Sequence, residues 1–173
     1  MAQELTTEDG VVDALRLRKA LGTFVSGVTI VTTEVDGEVH GMTANAFTSV
    51  SLDPPLVLVS IAAAAKMDDR IKQSGRYGVS ILCKQQEDLS LHFAGARLKQ
   101  PIAPEFQWRK GVPLVKGALV HFACTVTDSH PAGDHTLHVG HVDALYHEHG
   151  DPLVFFTGSF KSLNFQGETT WEF

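Results

Sequence analysis

Short apolar segments separated by glycine, proline and other turn residues recur along most of this 173-residue chain. Residues 28–35 alternate in polarity and end at Asp36-Gly37, which is a hairpin signal. No G-x-G-x-x-G sequence opens a helix after a strand, and no internal period is present. The pattern therefore predicts a mostly β fold, a closed or split antiparallel barrel, with further strands at residues 39–51, 56–62, 77–83, 118–128, 135–146 and 152–156.

Helical spacing appears in three places. Apolar residues three and four positions apart between positions 11 and 21 predict an opening helix that Gly22 ends. Residues 66–74, followed by Gly75, and residues 85–94 predict two more helices. Between positions 95 and 116 both periodicities weaken, and the prolines there predict an irregular excursion or lid.

Length and charge limit the class of protein. The chain is long enough for one domain over residues 1–173, with a core at about 15–163 and a peripheral N-terminal segment and 164–173 tail. Its net charge of -6 and its lack of basic runs argue against a nucleic-acid partner. The N-terminus has neither the basic region nor the apolar region of a secretory signal. The longest apolar run, residues 56–65, is too short to span a bilayer. We therefore expect a cytoplasmic protein without membrane contact.

Two cysteines, Cys83 and Cys124, lie 41 positions apart in apolar, strand-like segments. This spacing fits neither a paired redox motif nor a zinc site. We expect both to be buried, reduced thiols.

Residues 40–60 place small, hydrogen-bonding residues beside a Pro-Pro corner and an apolar strand. Gly41, Thr43, Asn45 and Ser51 leave backbone groups and short side chains able to approach a flat ligand, where a structural strand would carry Val, Ile or aromatics. The pattern favours a cofactor site, and the alternative is a solvated strand face.

The same stretch, G-M-T-A-N-A-F-T-S-V-S-L-D-P-P-L, resembles a segment of the short-chain flavin reductase family, the small partners of two-component flavin monooxygenases. The resemblance extends from about residue 15 to about 163. It includes L-R-x-x-L-G-T-F-x-S-G-V-T-I-V-T-T, R-Y-G-V-S-I-L, Q-Q-x-x-L-S-x-x-F-A, G-D-H, V-G-x-V and G-S-F-K-S-L in order. It implies a split β-barrel homodimer that binds flavin mononucleotide (FMN) or flavin adenine dinucleotide (FAD).

Carried over by position, the resemblance assigns the isoalloxazine ring, largely through backbone groups, to Met42, Thr43, Ala44, Asn45, Ser49, Val50, Ser51 and Leu52. Among these, Thr43, Asn45 and Ser51 are expected to add side-chain contacts. The ribityl-phosphate site is assigned to Ser60, Ala65 and Lys66, where a helix N-terminus and an ammonium would both attract phosphate. Many family members carry serine or threonine in this turn, so the alanines here leave more to the backbone and to Lys66. The alternative for Lys66 is an ordinary surface lysine.

Three further positions follow from the resemblance. His135, in the Gly-Asp-His triplet, is expected to position the nicotinamide nucleotide, and Phe160 and Lys161 are expected to border the flavin. Core packing is the alternative for Phe160. A metal site of His135, His138 and His141 is disfavoured because residues three apart on a strand point to opposite faces. We expect no bound metal.

These residues predict an NAD(P)H-dependent flavin reductase that uses NADH or NADPH and supplies reduced flavin to a separate flavin-dependent monooxygenase. Hydride transfer is the chemistry of the two cofactors, so no side chain is assigned a catalytic acid or base role. The alternatives are a flavin- or haem-binding barrel module without turnover and a metal-dependent hydrolase.

Overall fold

The computed structural model describes residues 11–163 of the chain, and strands dominate its secondary structure. The helices are α1 (Ala14–Leu21), α2 (Lys66–Ser74) and α3 (Glu87–Phe93), with a 3-10 turn at Lys84–Gln86. The strands are β1 (Ser26–Gly27), β2 (Thr29–Val35), β3 (Glu38–Ala44), β4 (Phe47–Leu52), β5 (Pro55–Ala62), β6 (Arg76–Ile81), β7 (Phe106–Arg109), β8 (Val112–Val115), β9 (Val120–Ala132), β10 (His135–His147), β11 (Val154–Phe156) and β12 (Ser159–Lys161).

Seven strands form one antiparallel sheet in the order β3-β2-β6-β9-β10-β5-β4. Its two edge strands, β3 and β4, are joined by only two residues, Asn45 and Ala46. In a flat sheet these edges would lie about 29 Å apart, since strands are about 4.8 Å apart. The three Cα–Cα steps of the connection span at most about 11 Å. The sheet must therefore curl until its edges approach, which gives the predicted split barrel.

Local sequence signals set the helix ends. Asp13 caps α1 by accepting a hydrogen bond from the Arg16 N–H at 2.8 Å. Helix α2 ends at Gly75, whose left-handed φ of 67° lets its N–H reach the Ile71 carbonyl. The end of α2 agrees with the sequence prediction, whereas α1 begins at Ala14, three residues later than the predicted start at position 11. No helix within residues 11–163 combines the length and the apolar character that crossing a membrane requires.

The core consists of two clusters. The first lies inside the barrel and joins residues of β2, β5 and β6 to Met67 and Ile71 of α2. The second packs Val28, Ile30 and Leu82 against residues of β8 and Leu153, with α3 and β12 at its margin. Helix α2 is thus attached to the barrel interior, and α3 to the outside of β3.

The prediction of a lid at residues 95–116 is wrong for its second half. Strands β7 and β8 form a hairpin there, and every residue of β8 is buried. Pro113 fits within β8 because, among residues 11–163, this strand pairs with β7 alone. The Pro113 carbonyl accepts a hydrogen bond from Thr32. The apolar run of β8 has only four residues and contains a proline, so the sequence does not indicate a strand there.

Both cysteines are free, and their burial differs from the prediction in one case. Cys124 is buried on β9, where burial raises the pKa of its thiol to about 12. Cys83 is only half-buried. Of the predicted peripheral segments, the structure describes residues 11–14. Residues 1–10 and the 164–173 tail lie outside the described residues.

Gly140 allows a close approach inside the barrel. A Cβ at this position of β10 would collide with the phenol of Tyr77, whose hydroxyl bonds the carbonyls of Val57 and His138 at 3.3 Å. A side chain at position 140 would therefore displace Tyr77 from both carbonyls.

We predict that Gly140→Ala destabilises the protein by about 2 kcal/mol or more, as overpacking of a rigid core does. Gly27→Ala is the matched control because no atom of residues 11–163 lies within 4 Å of the added methyl. The control should stay within about 0.5 kcal/mol of the wild type. Urea denaturation of both variants measures this, and equal unfolding free energies would contradict the packing argument.

Candidate cofactor-binding site

Side chains of β3 point alternately to two packed surfaces. Met42 and Ala44 pack against the barrel cluster. Gly41 and Thr43 face α3 instead, where a Cβ on Gly41 would collide with the Phe93 ring and the Thr43 hydroxyl donates to the Ser90 carbonyl at 2.6 Å. At these four positions, backbone atoms are the groups left for a ligand.

The expected side-chain contact from Thr43 stays a prediction, and it is limited to the oxygen of the hydroxyl acting as an acceptor. Its hydroxyl hydrogen is already used in holding α3 against β3. Packing against α3 also requires small residues at positions 41 and 43, besides the ligand approach that the sequence predicts. A contact between residues 47 positions apart in the chain has no local sequence signal.

Strand β4 is the exposed edge of the barrel opening. Its outer backbone edge has no strand neighbour among residues 11–163, so its N–H and C=O groups are available there. A register shift at residues 49–51 bulges the strand, and Val50 and Leu52 are exposed, the latter by 94%. Asn45 and Ser49 are exposed and Ser51 is half-buried.

The predicted phosphate turn lies between β5 and α2. The Ala65 N–H donates to Ala62 O at 2.8 Å, and no side chain caps α2, which begins at Lys66. The first N–H groups of a helix have no intrahelical acceptor, so they can bind an anion. Lys66 is exposed, and its ammonium has no partner among the described residues.

His135 begins β10 beside this turn. It pairs with Ala62 across the strands, and the Ala63 N–H donates to Asp134 O at 2.9 Å. The His135 side chain is 42% exposed, and its Nδ1 lies 2.7 Å from Asp134 Oδ1. A hydrogen bond from His135 lowers the pKa of Asp134, so the carboxylate fixes the ring with Nε2 turned away from it.

Strand β5 connects the separate parts of the site. It pairs with β4 on one side and with β10 on the other, so Phe47, Val59 and His138 lie in one row across three strands. Ser60 lies in the next row, where its N–H donates to Ala46 O at 3.0 Å. The residues predicted on β4, β5 and β10 thus lie on adjacent strands.

Phe160 and Lys161 lie on β12, outside the seven-stranded sheet. The Phe160 ring packs edge-on against Phe155 with centroids 5.5 Å apart and belongs to the second core cluster, in line with the packing alternative. Lys161 is exposed. Phe155 and Asn45 both line a groove of about 690 Å³ between α1 and the β11–β12 hairpin, and Arg18 and Lys19 line it as well. The volume is within the range of small-molecule sites.

His138 points away from His135 and His141, as the strand alternation predicted. It is buried and bonded to Asp68 and Ser129. Sequence reasoning missed this pair and the role of Asp134. Only Asp134 had a local signal, since it directly precedes His135 in the chain.

The donor set fits a flavin nucleotide. The β4 edge offers backbone donors and acceptors to a heteroaromatic edge, while the α2 N-terminus and Lys66 offer positive potential to a phosphate. His135 lies next to the same turn and can bind a second nucleotide. None of these groups is placed as an acid or base toward a common atom.

Comparison with known proteins identifies the family of the chain. Residues 21–164 match the family model described as "Flavin reductase like domain". An NADH-dependent flavin reductase from Rhodococcus sp is 63% identical over 169 residues, covering 95% of this chain and 96% of the relative. The reductase component of 4-hydroxyphenylacetate 3-monooxygenase from Thermus thermophilus is 42% identical over 147 residues, covering 84% of this chain and 94% of the relative.

A solved structure extends the comparison. The NADH:FAD oxidoreductase SgcE6 of Streptomyces globisporus C-1027, in complex with NAD and FAD fragments, superposes with a TM-score of 0.83 at 34% identity. The match covers 97% of this chain and all of that chain. The expected split-barrel fold is confirmed.

We predict that Lys66→Ala weakens FMN binding about tenfold, because one charge-assisted phosphate contact is lost. Riboflavin, which lacks the phosphate, should bind both proteins equally, and Lys84→Ala removes another exposed lysine as a control. Fluorescence titration measures each affinity. An unchanged FMN affinity would remove Lys66 from the site.

Proposed function

The chain belongs to the flavin reductase-like family, and we propose that it is an NADH-dependent reductase that supplies reduced FMN or FAD to a partner flavin-dependent monooxygenase. The observation that carries the proposal is the open barrel edge beside the uncapped N-terminus of α2 and Lys66. The names of its relatives support NADH as the donor and a monooxygenase as the acceptor of reduced flavin.

The protein's contribution is positional. Bound flavin and nicotinamide supply the hydride transfer between them. The β3–β4 opening holds the flavin ring through backbone groups, Lys66 and the α2 N-terminus hold its phosphate, and His135 orients the nicotinamide nucleotide. Holding two reactants in reactive geometry is worth several kcal/mol of the barrier and requires no side-chain acid or base.

The direct test uses the full chain with NADH and FMN or FAD. Steady loss of the reduced nicotinamide absorbance under air, dependent on added flavin, supports a reductase. Flavin binding without NADH oxidation would instead identify the non-catalytic module. A hydrolytic activity that a chelator abolishes, in a protein that binds no flavin, would identify the hydrolase.

We predict that His135→Ala raises the apparent KM for NADH about tenfold, because a hydrogen bond to the nucleotide is lost, while FMN affinity stays within about twofold. The matched control is His130→Ala on β9, an exposed histidine that pairs with Asp128 at 3.0 Å. Steady-state kinetics and FMN titration measure both quantities. A wild-type KM for NADH in the His135 variant would contradict the assignment.

We also propose that the protein is a homodimer that works in the cytoplasm. Large apolar side chains are exposed near the barrel opening and α1, including Phe24 (81%) and Leu52 (94%). Burial of such surface against a second copy would remove it from water. The two free cysteines are compatible with a reducing compartment.

Light scattering at micromolar concentration should give twice the 18.8 kDa chain mass. An obligate interface of this kind buries more than about 2,000 Å² in total, so the mass should resist dilution. A mass equal to one chain would contradict the dimer.

A further inference from the structure

A buried ionisable pair lies outside the groups assigned so far. Asp68 of α2 and His138 of β10 are 2% and 0% exposed, and Asp68 Oδ1 lies 2.8 Å from His138 Nε2. Removing such groups from water is costly unless their hydrogen bonds are complete, and a carboxylate buried against a histidine is weak evidence for stability. The pair therefore needs another explanation.

The hydrogen bonds of the pair are complete. Burial raises the pKa of Asp68, but hydrogen bonds from Lys72, Thr136 and His138 outweigh it and lower that pKa overall. Because the ionised carboxylate only accepts, His138 Nε2 carries a hydrogen and donates it. Nδ1 then accepts from the Ser129 hydroxyl at 2.8 Å, and burial lowers the pKa of His138, which keeps the ring neutral.

The pair joins the two halves of the proposed site. Asp68 lies in the first turn of α2, where its N–H donates to Ala65 O at 2.9 Å, so it sits directly behind the phosphate turn. His138 lies three residues after His135 on β10. The side-chain bond therefore connects the turn that carries Lys66 to the strand that carries His135.

We infer that Asp68 and His138 are positioning residues that hold the phosphate turn of α2 at a fixed distance from His135, so that flavin and NADH bind in register. The inference rests on the proposed function. The inference predicts a distinct pattern of effects. Lys66→Ala is expected to weaken the binding of flavin alone, and His135→Ala is expected to weaken the binding of NADH alone. Breaking the Asp68–His138 bond should weaken both ligands together.

The test compares variants of two histidines on β10 in the full-length protein. His138→Leu removes the bond to Asp68, whereas His138→Gln retains an N–H that can reach it. His141→Leu is the matched control, since His141 also bonds an aspartate, Asp143, at 3.0 Å, but that carboxylate contacts β6 and β9. The readouts are FMN affinity, apparent KM for NADH and kcat.

For His138→Leu we expect FMN affinity to fall and the KM for NADH to rise, each about tenfold, and kcat at saturation to fall by about tenfold or more, because the two ligands are then out of register. The glutamine and control variants should stay within about threefold of the wild type on both ligands. A folded His138→Leu protein that keeps both affinities, or that loses only one, overturns the inference.

Asp68→Ala decides the question if His138→Leu does not fold. It removes the oxygen that accepts from His138 Nε2–H, so both ligands should weaken by about threefold or more, and unchanged affinities overturn the inference. A wild-type protein that neither binds FMN nor oxidises NADH would refute the proposed function. A normal wild type with unaffected variants would refute the positioning role alone.

Discussion

The two-residue connection between β3 and β4 constrains the whole molecule. Asn45 and Ala46 join strands at opposite edges of a seven-stranded sheet, so the sheet closes far enough to bring those edges together. Edge strands retain unpaired backbone groups along their outer sides. The curl therefore places two sets of such groups at one opening, which is where the flavin ring is proposed to bind.

The flavin recognition proposed at this opening depends more on backbone than on side chains. On β3, Met42 and Ala44 belong to the barrel core, while Gly41 and Thr43 belong to the contact with α3. Substitution at these four positions would change packing first and ligand contact only through the backbone. The side chains free to distinguish ligands lie on β4, at Lys66 and at His135.

The fold was predictable where the signals are local. Helix α2 followed from its spacing and from Gly75, and the hairpin at residues 36–37 followed from its turn residues. The β7–β8 hairpin was missed because its strands have four residues each and one contains Pro113. Within the site, the family resemblance indicated which strands are involved. The hydrogen-bond partners of Thr43 and His138 were not predictable, because they lie 47 and 70 residues away in the chain.

Hydride transfer between two bound nucleotides places an unusual demand on the chain, because geometry replaces acid–base chemistry. A shift of about 1 Å between reacting groups can cost about a hundredfold in rate, so the two binding elements must not move relative to each other. Backbone bonds already fix Ala63 to Asp134, and Met67 and Ile71 pack α2 into the barrel core, but packing alone does not set the direction of the contact between α2 and β10. A bond from Asp68 to His138 restrains the first turn of the helix itself. An apolar contact of similar volume could match its stability, but it would lack the directionality of a hydrogen bond.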